Sequence, residues 1–304
     1  MSETVAKGPA RQVLAAQCTL GEGPVWDAAR QCLWFVDIKR HQVHSFAPHS
    51  GAHEVHVLHD QVGWVLPAHG GKLLAGLKDG LYRFDPATDE ARKLADVPGE
   101  PDGNRLNDAC TDPAGRVWFG SMDDAESAPS GRFYCAHRNV VAAQGPEAVC
   151  ITNGPAVSPD GRRIYFTDTL ARRIMVADLD GEGRCGAPRL FADTAQHFPE
   201  AYPDGPVCDA QGCVWTGLWN GWGAARYSPD GELLEKVELP VANVTKLAFG
   251  GPDLTQAFVT TARKGLDAAA LAAQPQAGDL FMFEVGVPGA PLALAEVWDG
   301  DAVC

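Results

Sequence analysis

The chain has 304 residues, 45% of which are hydrophobic, and this is enough apolar material for a large core. A formal net charge of −14 argues against a nucleic acid or an anionic membrane surface as a partner. No apolar run is as long as a membrane span, and the polar first residues contain no hydrophobic signal segment. The nine cysteines are odd in number and form no C-x-x-C pair, which favours reduced thiols in a cytoplasmic protein.

Internal repeats are the main organising feature of the chain. Six short apolar runs each contain a residue that serves as an anchor, at Trp34, Leu74, Trp118, Tyr165, Trp215 and Phe258. The anchors are 40, 44, 47, 50 and 43 residues apart, and turn sequences rich in Pro, Gly and Asp precede four of them. Units of this length have room for four short strands. They predict an all-β fold, a six-bladed β-propeller with four-stranded antiparallel blades around a central channel.

The two ends of the chain are assigned around this ring. Residues 1–11 are expected to be a mobile tail, and residues 12–304 a single propeller domain. Residues 13–17 are expected to pair with the last blade, since closing the ring removes a free sheet edge. An Ala-rich stretch at 266–274, with Asp267 as a cap, predicts one short helix.

Three oxygen-bearing side chains occupy the same position in three of the repeats. Glu22, Asn153 and Asp204 each stand directly before a Gly-Pro pair and 11 or 12 residues before the anchor. Proline cannot donate to a sheet ladder and favours edge strands, and the innermost strand of a blade is an edge at the channel. Strand-start turns alone would explain the Gly-Pro pairs but not the oxygen donor before each. We therefore predict that the three side chains meet around one metal ion.

The equivalent position in the other repeats holds Gly63, Asn107 and Lys246. Arg105 lies two residues before Asn107, on the same face of a strand. Gly63 is expected to leave space in the channel. Lys246 is a candidate to hold a substrate or to offset the acids, and a plain solvated lysine is an equally good interpretation.

Three other patterns are set aside. A G-x-G-x-x-G match at 181–186 lacks the helix that must follow a dinucleotide-binding turn, so a simple turn is expected. Two more patterns suggest metal ligands, but both fall in strand-like sequence: His49, His53, His56 and His59, and the pair Cys208 and Cys213.

Five short motifs together resemble the regucalcin and gluconolactonase family of sugar-lactone hydrolases, and among them the bacterial sugar-acid pathway lactonases. Each motif is weak alone, but all five occur in the family's order between about residues 20 and 285. They are Gly21-Glu22-Gly-Pro, Arg105-Leu-Asn107-Asp108, Thr152-Asn153-Gly, Tyr202-Pro-Asp204-Gly, and residues 261–265 with Gln274-Pro.

The resemblance implies a six-bladed propeller with one divalent metal in the channel. Glu22, Asn153 and Asp204 would be the metal ligands, and Asp204 would also serve in proton transfer. Two carboxylates and an amide form a hard, oxygen-only set that suits Ca²⁺, Mn²⁺, Mg²⁺ or Fe²⁺, with Zn²⁺ also possible. Three protein ligands leave positions open for water and substrate.

The resemblance also implies substrate contacts. Arg105 and Asn107 would hold the sugar lactone. Vertebrate-type relatives carry a substrate-reading Glu shortly after the position of residue 122. Asp123, Asp124 and Glu126 lie in that stretch here without a clean match, and Asp123 is the candidate chosen.

The predicted function is metal-dependent hydrolysis of a pentono- or hexonolactone to the aldonic acid in a bacterial sugar-oxidation pathway, by a monomer. The metal would polarise the lactone carbonyl, and Asp204 would act as general base and then acid. Two alternatives remain open: a metal-dependent phosphotriesterase or arylesterase on the same scaffold, and a non-enzymatic calcium-binding propeller.

Overall fold

The computed structural model describes residues 4–137 and 140–296. Within these ranges, twenty-four strands form six four-stranded antiparallel sheets. The first strand of each sheet lies against the first strand of the next, and the last sheet returns to the first. The six-bladed propeller predicted from the repeats is therefore confirmed.

Strand β1 (Ala6–Leu14) precedes the first complete blade. Blade one is β2 (Gly21–Asp27), β3 (Cys32–Asp37), β4 (Gln42–Ala47) and β5 (Ala52–Val57). Blade two is β6 (Val62–Pro67), β7 (Leu73–Leu77), β8 (Gly80–Asp85) and β9 (Glu90–Ala95). Blade three is β10 (Asn104–Thr111), β11 (Val117–Asp123), β12 (Gly131–His137) and β13 (Val140–Val149).

Blade four is β14 (Thr152–Val157), β15 (Arg163–Asp168), β16 (Arg173–Asp178) and β17 (Arg189–Asp193). Blade five is β18 (Tyr202–Cys208), β19 (Val214–Trp219), β20 (Gly223–Tyr227) and β21 (Leu233–Glu238). Blade six combines β22 (Val244–Gly250), β23 (Gln256–Thr261) and β24 (Leu280–Val285) with β1 as its outermost strand.

The ring closes through β1, which pairs antiparallel with β24. Closure by an N-terminal strand was predicted, but the strand assigned to 13–17 lies earlier, at Ala6–Leu14. Residues 6–11, which the sequence assigned to a mobile tail, are therefore part of blade six. The outermost strand of a blade exposes one face to water, and its polar composition was mistaken for that of a tail. Residues 1–3 lie outside the described residues.

The aromatic anchors lie on the second strand of their blades and are buried between neighbouring blades. In blades one, three and five the anchor indole donates to an aspartate in the turn after the innermost strand. These pairs are Trp34 to Asp27 at 3.3 Å, Trp118 to Asp112 at 3.0 Å and Trp215 to Asp209 at 3.1 Å. The bond satisfies a polar group that would otherwise be buried alone.

The predicted helix is confirmed as α1 (Ala268–Ala273) in the connection between β23 and β24. Asp267 caps it, because its side chain accepts a hydrogen bond from the Ala270 backbone N–H at 2.8 Å. In the ranges that the structure covers, no helix is long and apolar enough to cross a membrane.

Candidate functional site

The innermost strand of each blade is interrupted at the position that the repeats marked. The antiparallel register shifts there by insertion of extra residues, and such bulges commonly lie next to active sites because they re-aim side chains. The shifts fall between Glu22 and Val25, Val62 and Trp64, Leu106 and Ala109, Asn153 and Ala156, Pro203 and Pro206, and Val244 and Leu247.

Glu22 and Asp204 form a buried pair of carboxylates at two of these interruptions, on β2 and β18. Glu22 is 3% exposed and Asp204 4%. Burial raises the pKa of both groups, and the charge of Asp108 raises it further; for Asp204 the charge of Glu22 adds to the shift. Asp204 Oδ1 is buried without a hydrogen-bond partner among the described residues. These two acids are therefore short of positive charge.

Asn153 on β14 is held in one orientation by a short chain of hydrogen bonds. Its Nδ2 donates to Thr169 Oγ1 at 3.0 Å, and its Oδ1 accepts from Asn107 Nδ2 at 2.9 Å. Asn107 in turn donates to the Thr152 carbonyl at 2.6 Å and accepts from Arg105 Nη1 at 2.6 Å. Asn107 and Arg105 thus form a network with Asn153, the amide that the sequence proposed as a ligand.

Asp108 belongs to the site, although its position in the sequence predicted no role for it. It is fully buried, and its Oδ1 accepts from Lys246 Nζ at 2.6 Å. Its Oδ2 accepts from the Gly154 backbone N–H at 2.8 Å. Its position next to Asn107, in the same strand interruption, could have indicated that it belongs to the site.

Lys246 is not solvated, which corrects one of its sequence interpretations. The residue is 5% exposed, and its ammonium donates to Asp108 and to the Ala109 carbonyl, at 3.1 Å. It offsets the third acid, and its contact with substrate stays a prediction. Gly205 is required beside this pair, since a Cβ there would lie 2.6 Å from Lys246 Cδ and 2.9 Å from Asp108 Oδ2.

Asp123 is held within its own loop. Its carboxylate accepts from the Ser127 and Ala128 backbone N–H groups at 2.9 Å each. The next residue, Asp124, contacts Arg105, with 3.2 Å between Asp124 Oδ1 and Arg105 Nε. Asp124 is therefore the acid that reaches Arg105, and a substrate contact for Asp123 stays a prediction.

Gly63 is explained by close packing and not by ligand space. A Cβ at this position would lie 2.4 Å from the Leu106 carbonyl oxygen and 3.1 Å from the Asn107 backbone nitrogen. The glycine lets β6 approach β10, which carries Asn107.

The patterns set aside in the sequence fall elsewhere. Residues 181–186 form a turn closed by a bridge between Leu179 and Cys185. His53 and His56 lie on β5, the outermost strand of blade one. Cys208 and Cys213 are buried free thiols, and Cys304 lies outside the described residues.

The residues at the interruptions fit a divalent cation. In the part of the chain that the structure describes, no three His, Cys, Asp or Glu side chains form a ready metal-binding group, so a cation held by Glu22 and Asp204 would need an amide such as Asn153 as a third oxygen ligand. The unpartnered Oδ1 of Asp204, and the burial and neighbouring charge that raise the pKa of both acids, fit a site for a positive charge. Hard oxygen donors of this kind suit Ca²⁺, Mg²⁺ or Mn²⁺.

Below the interruptions the lining of the channel changes from polar to mainly apolar. It opens into a cavity of about 740 Å³ lined mainly by apolar side chains of the same inner strands, with residues 290–294 along one side. Lys246 lies at the boundary between this cavity and the acids.

Comparisons with known proteins agree with this fold. The family model described as SMP-30/Gluconolactonase/LRE-like region matches residues 20–263. The chain is 32% identical over 280 residues to a 6-deoxy-6-sulfogluconolactonase of Pseudomonas putida, covering 91% of this chain and 95% of the relative. It is 33% identical over 287 residues to a pentonolactonase of Haloferax volcanii, covering 92% and 96%. The crystal structure of regucalcin from Agrobacterium tumefaciens, described as a calcium-binding protein, superposes with a TM-score of 0.92 at 31% identity, covering 97% of this chain and all of that one.

Proposed function

The chain belongs to the SMP-30/gluconolactonase/LRE-like family, and on that premise we propose that it is a metal-dependent sugar lactonase. It would hydrolyse an aldonolactone to the aldonic acid. Two relatives of this chain are named as lactonases of different sugars, a sulfogluconolactone and a pentonolactone. The reaction class is therefore supported more strongly than any one sugar.

One observation carries the proposal: Asp204 has a buried, unpartnered carboxylate oxygen beside a second buried acid, Glu22, in the channel. A group that costs this much to bury is expected where chemistry needs it. A propeller that only docks partner proteins has no need of paired acids in its channel.

Glu22, Asn153 and Asp204 are the residues that would hold the metal. When bound, the metal supplies Lewis-acid chemistry, drawing charge from the lactone carbonyl and lowering the pKa of water. Asn107 keeps the Asn153 amide oxygen in place by its 2.9 Å hydrogen bond, and Thr169 occupies the amide nitrogen. The ligand set is thus oriented before substrate binds.

Asp204 is the proposed general base and acid. Its free Oδ1 accepts a proton from a water molecule as the water oxygen bonds to the lactone carbonyl carbon. The bond from that carbon to the ring oxygen then breaks, and Asp204 returns the proton to the ring oxygen as it leaves. The product is the open-chain hydroxy acid, and Asp204 ends in its starting form.

Arg105 and Asn107 are the proposed positioning groups for the sugar. Arg105 is 2% exposed, and its Nε forms an ion pair with Asp124 Oδ1 at 3.2 Å, outside good hydrogen-bond geometry. A planar guanidinium with several donors suits a carbonyl or a pair of hydroxyls. We place the protein in the cytoplasm on the support of its free thiols, and we propose that it is a monomer.

The test is acid release from a panel of pentono- and hexonolactones, repeated after chelation and with Ca²⁺, Mg²⁺, Mn²⁺, Fe²⁺ or Zn²⁺ restored singly. We expect turnover of at least one lactone, loss on chelation and recovery with one metal. Turnover of paraoxon-type esters without lactones would indicate an esterase. Metal-dependent stability without any turnover would indicate a calcium-binding protein, and either result would refute the proposal.

A further inference from the structure

A group of lysines gathers at the channel mouth, above the candidate metal ligands. In each blade the connection between the second and third strands lies at the end where the innermost strand begins, so these connections surround the mouth. Lys39 follows β3 in a 3-10 helix at Ile38–Arg40, and Lys78 follows β7. Asp124 follows β11 in the corresponding connection of blade three. The blades thus bring three charged residues from different parts of the chain to one place.

Asp124 is the centre of this group and receives three cations. Its Oδ1 lies 2.6 Å from Lys39 Nζ and 3.2 Å from Arg105 Nε, and its Oδ2 lies 3.5 Å from Lys78 Nζ. Gln61 also donates to Oδ2, at 2.8 Å. These contacts lower the pKa of Asp124, although burial opposes the shift. Three positively charged side chains therefore share one carboxylate.

Two neighbouring acids have cationic partners outside the group. Glu126 in the same loop is paired with Lys264, although its charge also acts on Arg105. Asp79, next to Lys78, is held by Tyr82 and by Lys93.

Asp60 is a further acid beside the group. Its Oδ1 accepts from the Gln61 backbone N–H at 2.7 Å, and no ion pair links Asp60 to either lysine in the part of the chain that the structure describes. Three cations thus share the single carboxylate of Asp124, in a protein whose formal net charge is −14.

The group is open to solvent above and buried below. The side chains of Lys39, Lys78 and Asp124 are 26%, 29% and 23% exposed. Arg105, beneath them, is 2% exposed and contacts the same carboxylate through its Nε. A molecule entering the channel would meet the lysines first, then Arg105, and then the acids that are proposed to act on it.

We infer that the substrate is a sugar lactone with an anionic substituent remote from the ring carbonyl, which Lys39 and Lys78 bind at the channel mouth. This inference rests on the proposed lactonase function. The substituent class is one that accepts hydrogen bonds with full negative charge: a carboxylate, a phosphate or a sulfonate. Charge-assisted hydrogen bonds to such groups are stronger than those to sugar hydroxyls. Asp124 acts as a positioning residue that holds the two lysines together before substrate arrives.

The test compares neutral and anionic lactones of the same ring on the metal-loaded enzyme. The panel contains an unsubstituted hexonolactone and its derivatives carrying a terminal carboxylate, phosphate or sulfonate, so that the three sources are distinguished. We expect at least one anionic lactone to be preferred by about tenfold or more in kcat/KM. Raising the ionic strength from about 0.01 M to about 0.5 M should reduce this preference, because partly exposed charges are screened.

The variants are Lys39→Gln and Lys78→Gln, with Lys236→Gln as the matched control. Lys236 is 25% exposed and pairs with a single carboxylate, Glu238, on the outermost strand of blade five. Each of the first two changes should lower kcat/KM for the anionic lactone by about tenfold, mainly through KM, and alter that for the neutral lactone less than twofold. The control should change neither, and melting temperatures should confirm that all three variants fold.

The outcomes separate this inference from the function on which it rests. If neutral lactones are hydrolysed as well as anionic ones, and the two lysine variants match the control, the inference is overturned while the lactonase function stands. An equal loss for neutral and anionic lactones would assign the lysines to general sugar binding and also overturn it. If no lactone of either kind is hydrolysed, both fail.

Discussion

The two halves of the channel are built from the same six strands and differ completely in chemistry. At the register shifts, in the upper half, lie Glu22, Asp108 and Asp204 with their amide and cationic neighbours, all buried. Below the shifts lies a cavity of about 740 Å³ with mainly apolar walls. The difference teaches that the interruption of each strand, rather than the strand itself, positions the polar groups.

The physical reason lies in the two-residue period of a strand. Below the shift, regular pairing resumes, as in Val25 opposite Trp34 and Ala156 opposite Tyr165, and successive side chains again alternate between the two faces of the blade. At the shift, extra residues break this alternation and leave backbone groups free for side-chain partners. The Gly154 N–H, for example, donates to Asp108 of the neighbouring blade.

The largest effect should follow from changing Asp204 in the upper half. Asp204→Asn removes the proposed base while keeping the shape of the side chain, and lactone hydrolysis should fall by about 10²–10⁴ in kcat. The melting temperature of the chelated variant should not fall, since a carboxylate that is costly to bury is replaced by a neutral amide. Near-full activity in a folded variant would rule out the mechanism.

Glu22→Gln should act on metal binding. Removing one of the two proposed carboxylate ligands reduces the charge offered to the cation, and the metal dissociation constant should rise by well over tenfold. Calorimetric titration of the chelated protein measures this directly. An unchanged stoichiometry and affinity would remove Glu22 from the ligand set, whatever its effect on activity.

Arg105→Lys tests the positioning of the substrate. A lysine keeps the charge but loses the planar arrangement of donors that reaches Asn107 and Asp124 at the same time. We expect KM for the preferred lactone to rise by about tenfold, with a smaller change in kcat. Initial-rate kinetics on the metal-saturated enzyme check this, and a wild-type KM would place recognition elsewhere.

The metal-free protein should lose stability as pH rises. Glu22 and Asp204 have raised pKa values in the folded state, so they hold protons that the unfolded chain releases above its ordinary carboxylate pKa. Stability contributed by this proton binding is present at low pH and is lost as pH rises toward the folded pKa values. The melting temperature of chelated protein should fall by several degrees between about pH 5 and pH 8, and saturating metal should remove most of that fall. A pH-independent difference between the two forms would contradict the account.

How much the sequence could predict differs between the scaffold and the site. The propeller was predictable because its repeated units share anchors that bury in the same way, such as Trp118 and Trp215. The positions of Glu22, Asn153 and Asp204 were predictable because each interruption carries a Gly-Pro pair. Because every blade is built in the same way, the same short sequence pattern recurs along the chain.

The other residues of the site are placed by contacts between blades, for which the sequence has no local pattern. Lys246 and Asp108 are 138 positions apart, and no sequence pattern near either residue predicts that they pair. Asp124 is joined to Lys39, which is 85 positions away. The contacts that single out Asp124 beside Asp123 could not be predicted for the same reason, because both lysines come from other blades.

The smallest effect should come from the lower half of the channel, on the strand that also carries Asp204. Cys208 lies four residues after Asp204, is 4% exposed and lines the apolar cavity as a free thiol. Cys208→Ala removes one sulfur beside space that is already open, so the added cavity cost is about 1 kcal/mol or less. We expect kcat and KM within twofold of the parent and a melting temperature lower by a few degrees at most, checked by kinetics and calorimetry side by side with Asp204→Asn. If Cys208→Ala abolished activity as fully as Asp204→Asn does, the lower half would be part of the catalytic apparatus, and the separation of the channel at the register shifts would have no functional meaning.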